Sequence, residues 1–148
     1  SDVSKLPILA AYQTIVSGMG GNGGAQAMAV AIRGIAVGES GGSVLGRALK
    51  RELQVGIWSG ITIGITTGLI AMIFNYSHHG VALGLVICAA LIFNHVNACV
   101  TGVSIPFAMK KMGFDPAQSA TIFATTFTDC GGFFACLGLA KIFMPWLL

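Results

Sequence analysis

Charge is almost absent from three long stretches of this chain of 148 residues. No Asp, Glu, Lys or Arg occurs between residues 5 and 33 or from 53 to 109, and Asp129 is the one exception from 116 to 140. A helix needs about 20 apolar residues to cross a hydrocarbon core of roughly 30 Å, so the middle stretch is long enough for two crossings. The polar run Asn75-Tyr76-Ser77-His78-His79-Gly80 supplies the turn between them. The expectation is an all-α, polytopic membrane helix bundle, a single transmembrane domain over 1–148, with helices near 6–32, 53–74, 81–109 and 116–140. The first and third exceed what a crossing needs and are expected to be broken or tilted. Only 9% of the residues are charged against 55% hydrophobic, where an ordinary soluble domain carries roughly 25% charged residues. The formal charge of +3 is too small and too scattered for a nucleic-acid surface, which clusters its basic residues on one face.

Loop charges set the orientation. Arg33, Arg47, Lys50 and Arg51 lie between the first two helices, Lys110 and Lys111 lie between the last two, and the middle turn has no Lys or Arg. The positive-inside rule then puts the two basic loops in the cytoplasm and both chain ends outside. No apolar segment with a small-residue cleavage site precedes the first helix, as a signal peptide would require. An outside N-terminus without a leader reads as a fragment of a longer chain, its first helix missing.

Glycine recurs every fourth residue at Gly56, Gly60, Gly64 and Gly68, a flat stripe along one helix face that lets a neighbouring backbone approach closely. The run Gly18-Met19-Gly20-Gly21-Asn22-Gly23-Gly24-Ala25-Gln26 is too glycine-rich for a regular lipid-facing helix. Non-helical backbone is tolerated at that depth only when it is buried in protein or lines water. Its carbonyls, with Asn22 and Gln26, are then oxygen ligands or water acceptors; the alternative is a helix-packing notch. The run lacks the strand-turn-helix setting of a dinucleotide site. Cys88, Cys99, Cys130 and Cys136 form no C-x-x-C pair and read as buried thiols acting as small apolar side chains.

A carboxylate near mid-membrane costs about 2.5–3.5 kcal/mol on insertion scales, so Asp129 should face a bundle interior or a wet cavity. Thr125 and Thr126 precede it by one turn and make its face polar. A cation or proton site is the functional reading, and a protonated Asp bonded to a neighbouring helix is the structural one. Asp115-Pro116-Ala117-Gln118 is a helix start, with Asp at the N-cap and Pro at the first helical position. It places Asp129 roughly 21 Å along the last helix. Asn94, His95 and Asn97 form a polar knot expected to hydrogen-bond between helices, whereas His78 and His79 read as solvated loop residues. No nucleophile with a plausible base and no cofactor motif is present, so no enzyme is expected.

The glycine-rich run, followed by Ala31-Ile32-Arg33-Gly34-Ile35-Ala36-Val37-Gly38-Glu39, then Arg51-Glu52-Leu53-Gln54-Val55-Gly56, Asp115-Pro116-Ala117 and Thr128-Asp129-Cys130-Gly131-Gly132, resembles the bacterial MgtE family of magnesium transporters and channels. The five blocks fall in the family's order over nearly the whole chain. The resemblance implies a homodimeric Mg²⁺ channel of the bacterial cytoplasmic membrane with five membrane helices per subunit, of which this chain carries helices two to five, preceded by cytosolic regulatory domains. It further implies that Asp129 binds hydrated Mg²⁺ in a pore on the dimer axis, assisted by the backbone oxygen of Thr125, with Gly21, Asn22, Gln26 and Thr121 lining that pore. Ala25 departs from the polar residue common in the family just before Gln26, and His95 is not expected from it.

The ion chemistry agrees with that implication. Mg²⁺ gives up water reluctantly and is held through one or two carboxylates with waters retained. Two copies of Asp129 across a two-fold axis would repel when empty and gain by sharing a divalent ion. The alternatives are a proton-coupled secondary transporter with Asp129 as the proton carrier, and a non-transporting membrane assembly subunit built on its glycine stripe.

Overall fold

The computed structural model describes residues 7–39, 41–75 and 80–147. Four long helices account for most of them: α1 (Pro7–Ala36), α2 (Gly42–Phe74), α3 (Gly80–Lys111) and α4 (Pro116–Ile142), followed by a single turn, α5 (Met144–Leu147). The expected all-helical bundle is what the chain forms. Within α2, α3 and α4 lie segments long and apolar enough to cross a membrane. α1, of 30 residues and about 45 Å long at 1.5 Å per residue, has the length, but its glycines dilute its apolarity.

α3 is the central helix. It packs against α2, α1 and α4, while α1 and α2 scarcely touch. Its buried positions run round the helix, among them Leu83, Val86, Ile87, Ala90, Leu91, Ala98 and Val103, as suits an element enclosed on several sides. The outer faces of the other helices carry Trp58, Phe74, Ile122 and Phe134, all largely exposed; in a bilayer such side chains face acyl chains at no cost.

Three expectations need correction. The glycine-rich run is not irregular: α1 passes through it unbroken. Gly20 and Gly24 are buried against α3, where an added Cβ at Gly20 would collide with Asn94 and one at Gly24 would lie 3.3 Å from the Ala98 carbonyl oxygen. Close backbone approach, not a broken ladder, is what these glycines serve, so the run is the packing notch. Neither of the long helices is interrupted; α3 continues even through the buried Pro106. Second, α2 starts at Gly42 rather than near 53. The loss of hydropathy at Arg47, Lys50 and Arg51 marks where the helix leaves the apolar zone, and nothing in that sequence stops the backbone ladder. Third, Cys130 is exposed, while Cys99 and Cys136 are buried and Cys88 partly so. Residues 76–79, including His78 and His79, lie outside the described residues.

The expected seam is present. Gly56, Gly60, Gly64 and Gly68 are all buried on one face of α2, against Cys99, Ile92, Cys88 and Gly84 of α3 respectively. At the start of α4, the Asp115 side chain accepts a hydrogen bond from the Ala117 amide at 3.0 Å, with Pro116 in the first helical turn, the expected cap.

Candidate cation site between α1 and α4

Asp129 sits where α4 passes α1. It is partly buried, and its Oδ1 accepts a hydrogen bond from the Ser17 hydroxyl, which leaves the carboxylate's remaining lone pairs open. One turn earlier the Thr125 carbonyl accepts the Thr128 hydroxyl at 2.9 Å, so a water ligand of an ion would compete with that hydroxyl there. Thr121, Thr125 and Thr126 are exposed; the Thr126 hydroxyl is satisfied within the helix by the Ile122 carbonyl at 2.9 Å.

Small residues bring the two helices together. Gly21, Gly24, Thr121, Thr125 and Thr128 line a notch of about 20 Å³, room for roughly one water. No side chain or foreign backbone lies within 4 Å of where a Cβ would be at Gly18 or Gly21, so α1 is bare there. Behind this face Asn94 locks three helices. Its Nδ2 donates to the Val16 carbonyl at 2.8 Å, and it fills the space that Cβ atoms at Gly20 of α1 and Gly132 of α4 would take. Asn97 donates to the Phe127 carbonyl at 3.3 Å. Two members of the polar knot thus hydrogen-bond between helices as expected; His95, by contrast, is buried with no partner for Nδ1.

The sequence-derived residues fall into two groups. Gly21, Thr121, Thr125 and Asp129 share the α1–α4 face. Asn22 and Gln26 line a different cavity, between α1, α2 and α3, whose walls include Glu52, Ser59 and His95. Sequence reasoning took Asp129 for the one deep carboxylate and missed Glu52, which is only 6% exposed. A signal was available: Glu52 continues the four-residue spacing of Gly56, Gly60, Gly64 and Gly68 one turn earlier, which puts it on the packed face of α2.

Residues 13–139 match the MgtE family model, described as a divalent cation transporter. The chain is 32% identical over 146 residues to a magnesium transporter MgtE of Enterococcus faecalis, covering 99% of this chain and 32% of that protein. It is 29% identical over 142 residues to a magnesium transporter MgtE of Bacillus subtilis, covering 96% of this chain and 31% of that one. The chain spans about a third of the length of these curated relatives.

Proposed function

The chain belongs to the MgtE family of divalent cation transporters, and on that premise we propose that it forms the membrane-spanning pore domain of a magnesium channel of the bacterial cytoplasmic membrane. Two copies face each other across a two-fold axis, and each contributes Asp129 to a site for a largely hydrated Mg²⁺, the transported ion. Cytosolic regulatory domains belong to the rest of the full-length chain. One observation carries this reading: Asp129 borders an outward polar strip of Ser17, Thr121 and Thr125. Facing hydrocarbon, such a strip is costly; covered by its own copy, it becomes the wall of a wet path. With one carboxylate per subunit, the ion keeps its waters, which suits Mg²⁺ rather than a Ca²⁺ cage of several carboxylates.

Mg²⁺ flux and binding with the full-length protein in proteoliposomes test it. At about 5 Å, an outer-sphere distance, one carboxylate attracts a divalent ion by about 1.7 kcal/mol even at the dielectric of water. Asp129→Asn keeps the shape and a carbonyl oxygen but removes that charge, so affinity and flux should fall at least about tenfold. Near-normal values would refute the ion site. Flux that survives while losing its dependence on a proton gradient would instead favour Asp129 as a proton carrier.

A further inference from the structure

We propose that the cavity between α1, α2 and α3 is a second cation site, in which Glu52 holds a hydrated divalent ion independently of Asp129. The cavity has a volume of about 260 Å³. A second cavity of about 210 Å³, walled by Glu39 and Arg47, shares Val30, Arg51 and Glu52 with the first. Glu52 therefore stands at the junction of a vestibule near the basic end of the bundle and a chamber running deeper between the helices.

Glu52 is 6% exposed, yet among the described residues its carboxylate has no hydrogen-bond partner and no basic nitrogen within 4.0 Å. Arg51, its neighbour in sequence, is exposed and does not neutralise it. Among the described residues the sealed, unpartnered side-chain atoms are Asn94 Oδ1 and His95 Nδ1, so the Glu52 oxygens are not sealed in protein and the space in front of them is a polar chamber. Asn22 and Gln26 offer amide oxygens from α1. Ser59, whose hydroxyl proton goes to the Val55 carbonyl at 2.7 Å, keeps lone pairs free on the chamber wall, and the His95 ring borders the same space with its Nδ1 sealed from it.

The donor set decides the kind of ion. Among the described residues no three His, Cys, Asp or Glu side chains converge as metal ligands, which excludes a dehydrated, zinc-like cage there. A single carboxylate among neutral acceptors, with Arg51 on the wall that the two cavities share, instead suits an ion that keeps its shell and binds through water. At roughly 10–15 Å³ of cavity space per water, six waters need about 60–90 Å³, less than the chamber provides.

The test counts bound Mn²⁺, a paramagnetic divalent probe, by electron paramagnetic resonance on the full-length protein in nanodiscs, with Mg²⁺ as competitor. Relative to Asp129→Asn, the double variant Asp129→Asn/Glu52→Gln should bind one Mn²⁺ fewer per chain, and Asp129→Asn/Glu52→Asp should keep it. An unchanged count in the Gln variant would overturn the proposal, whether Glu52 then serves as a proton site or as an ion-pair partner to a residue elsewhere in the full chain. Should Glu52→Gln not fold, Ser59→Cys in the Asp129→Asn background gives a second reading. Mg²⁺ should slow its labelling by a small methanethiosulfonate several-fold, and no protection would overturn the site. The Asp129→Asn count reports on the pore reading alone, so the two can fail separately.

Discussion

Four glycines in succession hold the α2–α3 seam close, and Gly64→Ala perturbs it with a single methyl group. Ideal Cβ atoms at Gly56, Gly60, Gly64 and Gly68 would meet their nearest α3 atoms at 3.2, 3.0, 2.9 and 2.8 Å respectively, so the helices close steadily toward the Gly68 end. At Gly64 that neighbour is the carbonyl oxygen of Cys88, main chain that no rotamer change can move aside. Ordinary contact begins near 3.4 Å, so α2 must retreat by about half an ångström, and the neighbouring glycine contacts loosen with it. Overpacking of this kind costs about 1–3 kcal/mol. Replacing Gly by Ala in a helix returns about 0.8–1.0 kcal/mol, which is why the right comparison is Gly46→Ala: the same exchange in the same helix, with nothing within 4 Å of the new methyl. The propensity gain cancels in the difference, and Gly64→Ala should be the less stable of the two by about 1–3 kcal/mol. Unfolding in mixed micelles titrated with dodecyl sulfate, followed by circular dichroism, measures that difference. Equal stabilities, or a more stable Gly64→Ala, would refute the claim that backbone contact along the glycine face sets the α2–α3 distance.

Asn94→Ala removes the bond to the Val16 carbonyl and opens a void between α1, α3 and α4; a membrane hydrogen bond contributes about 0.6 kcal/mol on average, and with the void the loss should reach about 1–3 kcal/mol in the same unfolding assay. An unchanged midpoint would show that the junction is not held there. Cysteine at Ser43 should react only with reagents reaching the cytoplasmic side and cysteine at Ser77 only with reagents from outside; the opposite pattern would reverse the topology. Cross-linking and mass measurement in mild detergent should find the full membrane domain dimeric, and monomers alone would make a pore on a dimer axis untenable.

What the sequence made legible was whatever repeats at helical spacing or sits at a helix end. The stripe from Gly56 to Gly68 and the Asp115 cap are local patterns whose physics needs no partner to be understood. The glycine-rich run of α1 was misleading because glycine weakens an isolated helix by about 1 kcal/mol per residue, whereas in lipid the same residue admits a neighbouring backbone; which effect prevails depends on α3, far along the chain. Angle was the other hidden quantity. Ser17, Gly21, Gly24 and Met28 follow one face of α1 at spacings of four, three and four, but Asn22 is turned from Gly21 by about 100°. A motif contiguous in sequence is therefore split between the α4 side and the Glu52 chamber.

The same arithmetic applied to α4 supports the arrangement proposed for the pore. At about 100° per residue, Thr121, Thr125 and Asp129 fall within an arc of about 80°, while Phe123, Phe127 and Phe134 fall in an arc of about 40° centred roughly 180° from the middle of the first. The aromatic edge is exposed, and Phe123 and Phe127 border an apolar hollow shared with Ile105, Met109 and Met112. One helix thus presents an edge compatible with acyl chains and, on its opposite side, an edge that is not. A second copy set against the polar edge removes Asp129 and its threonines from hydrocarbon while leaving the phenylalanines where lipid accommodates them. Docking through the phenylalanines would instead leave the carboxylate facing acyl chains, at the cost that insertion scales assign to a charge at that depth.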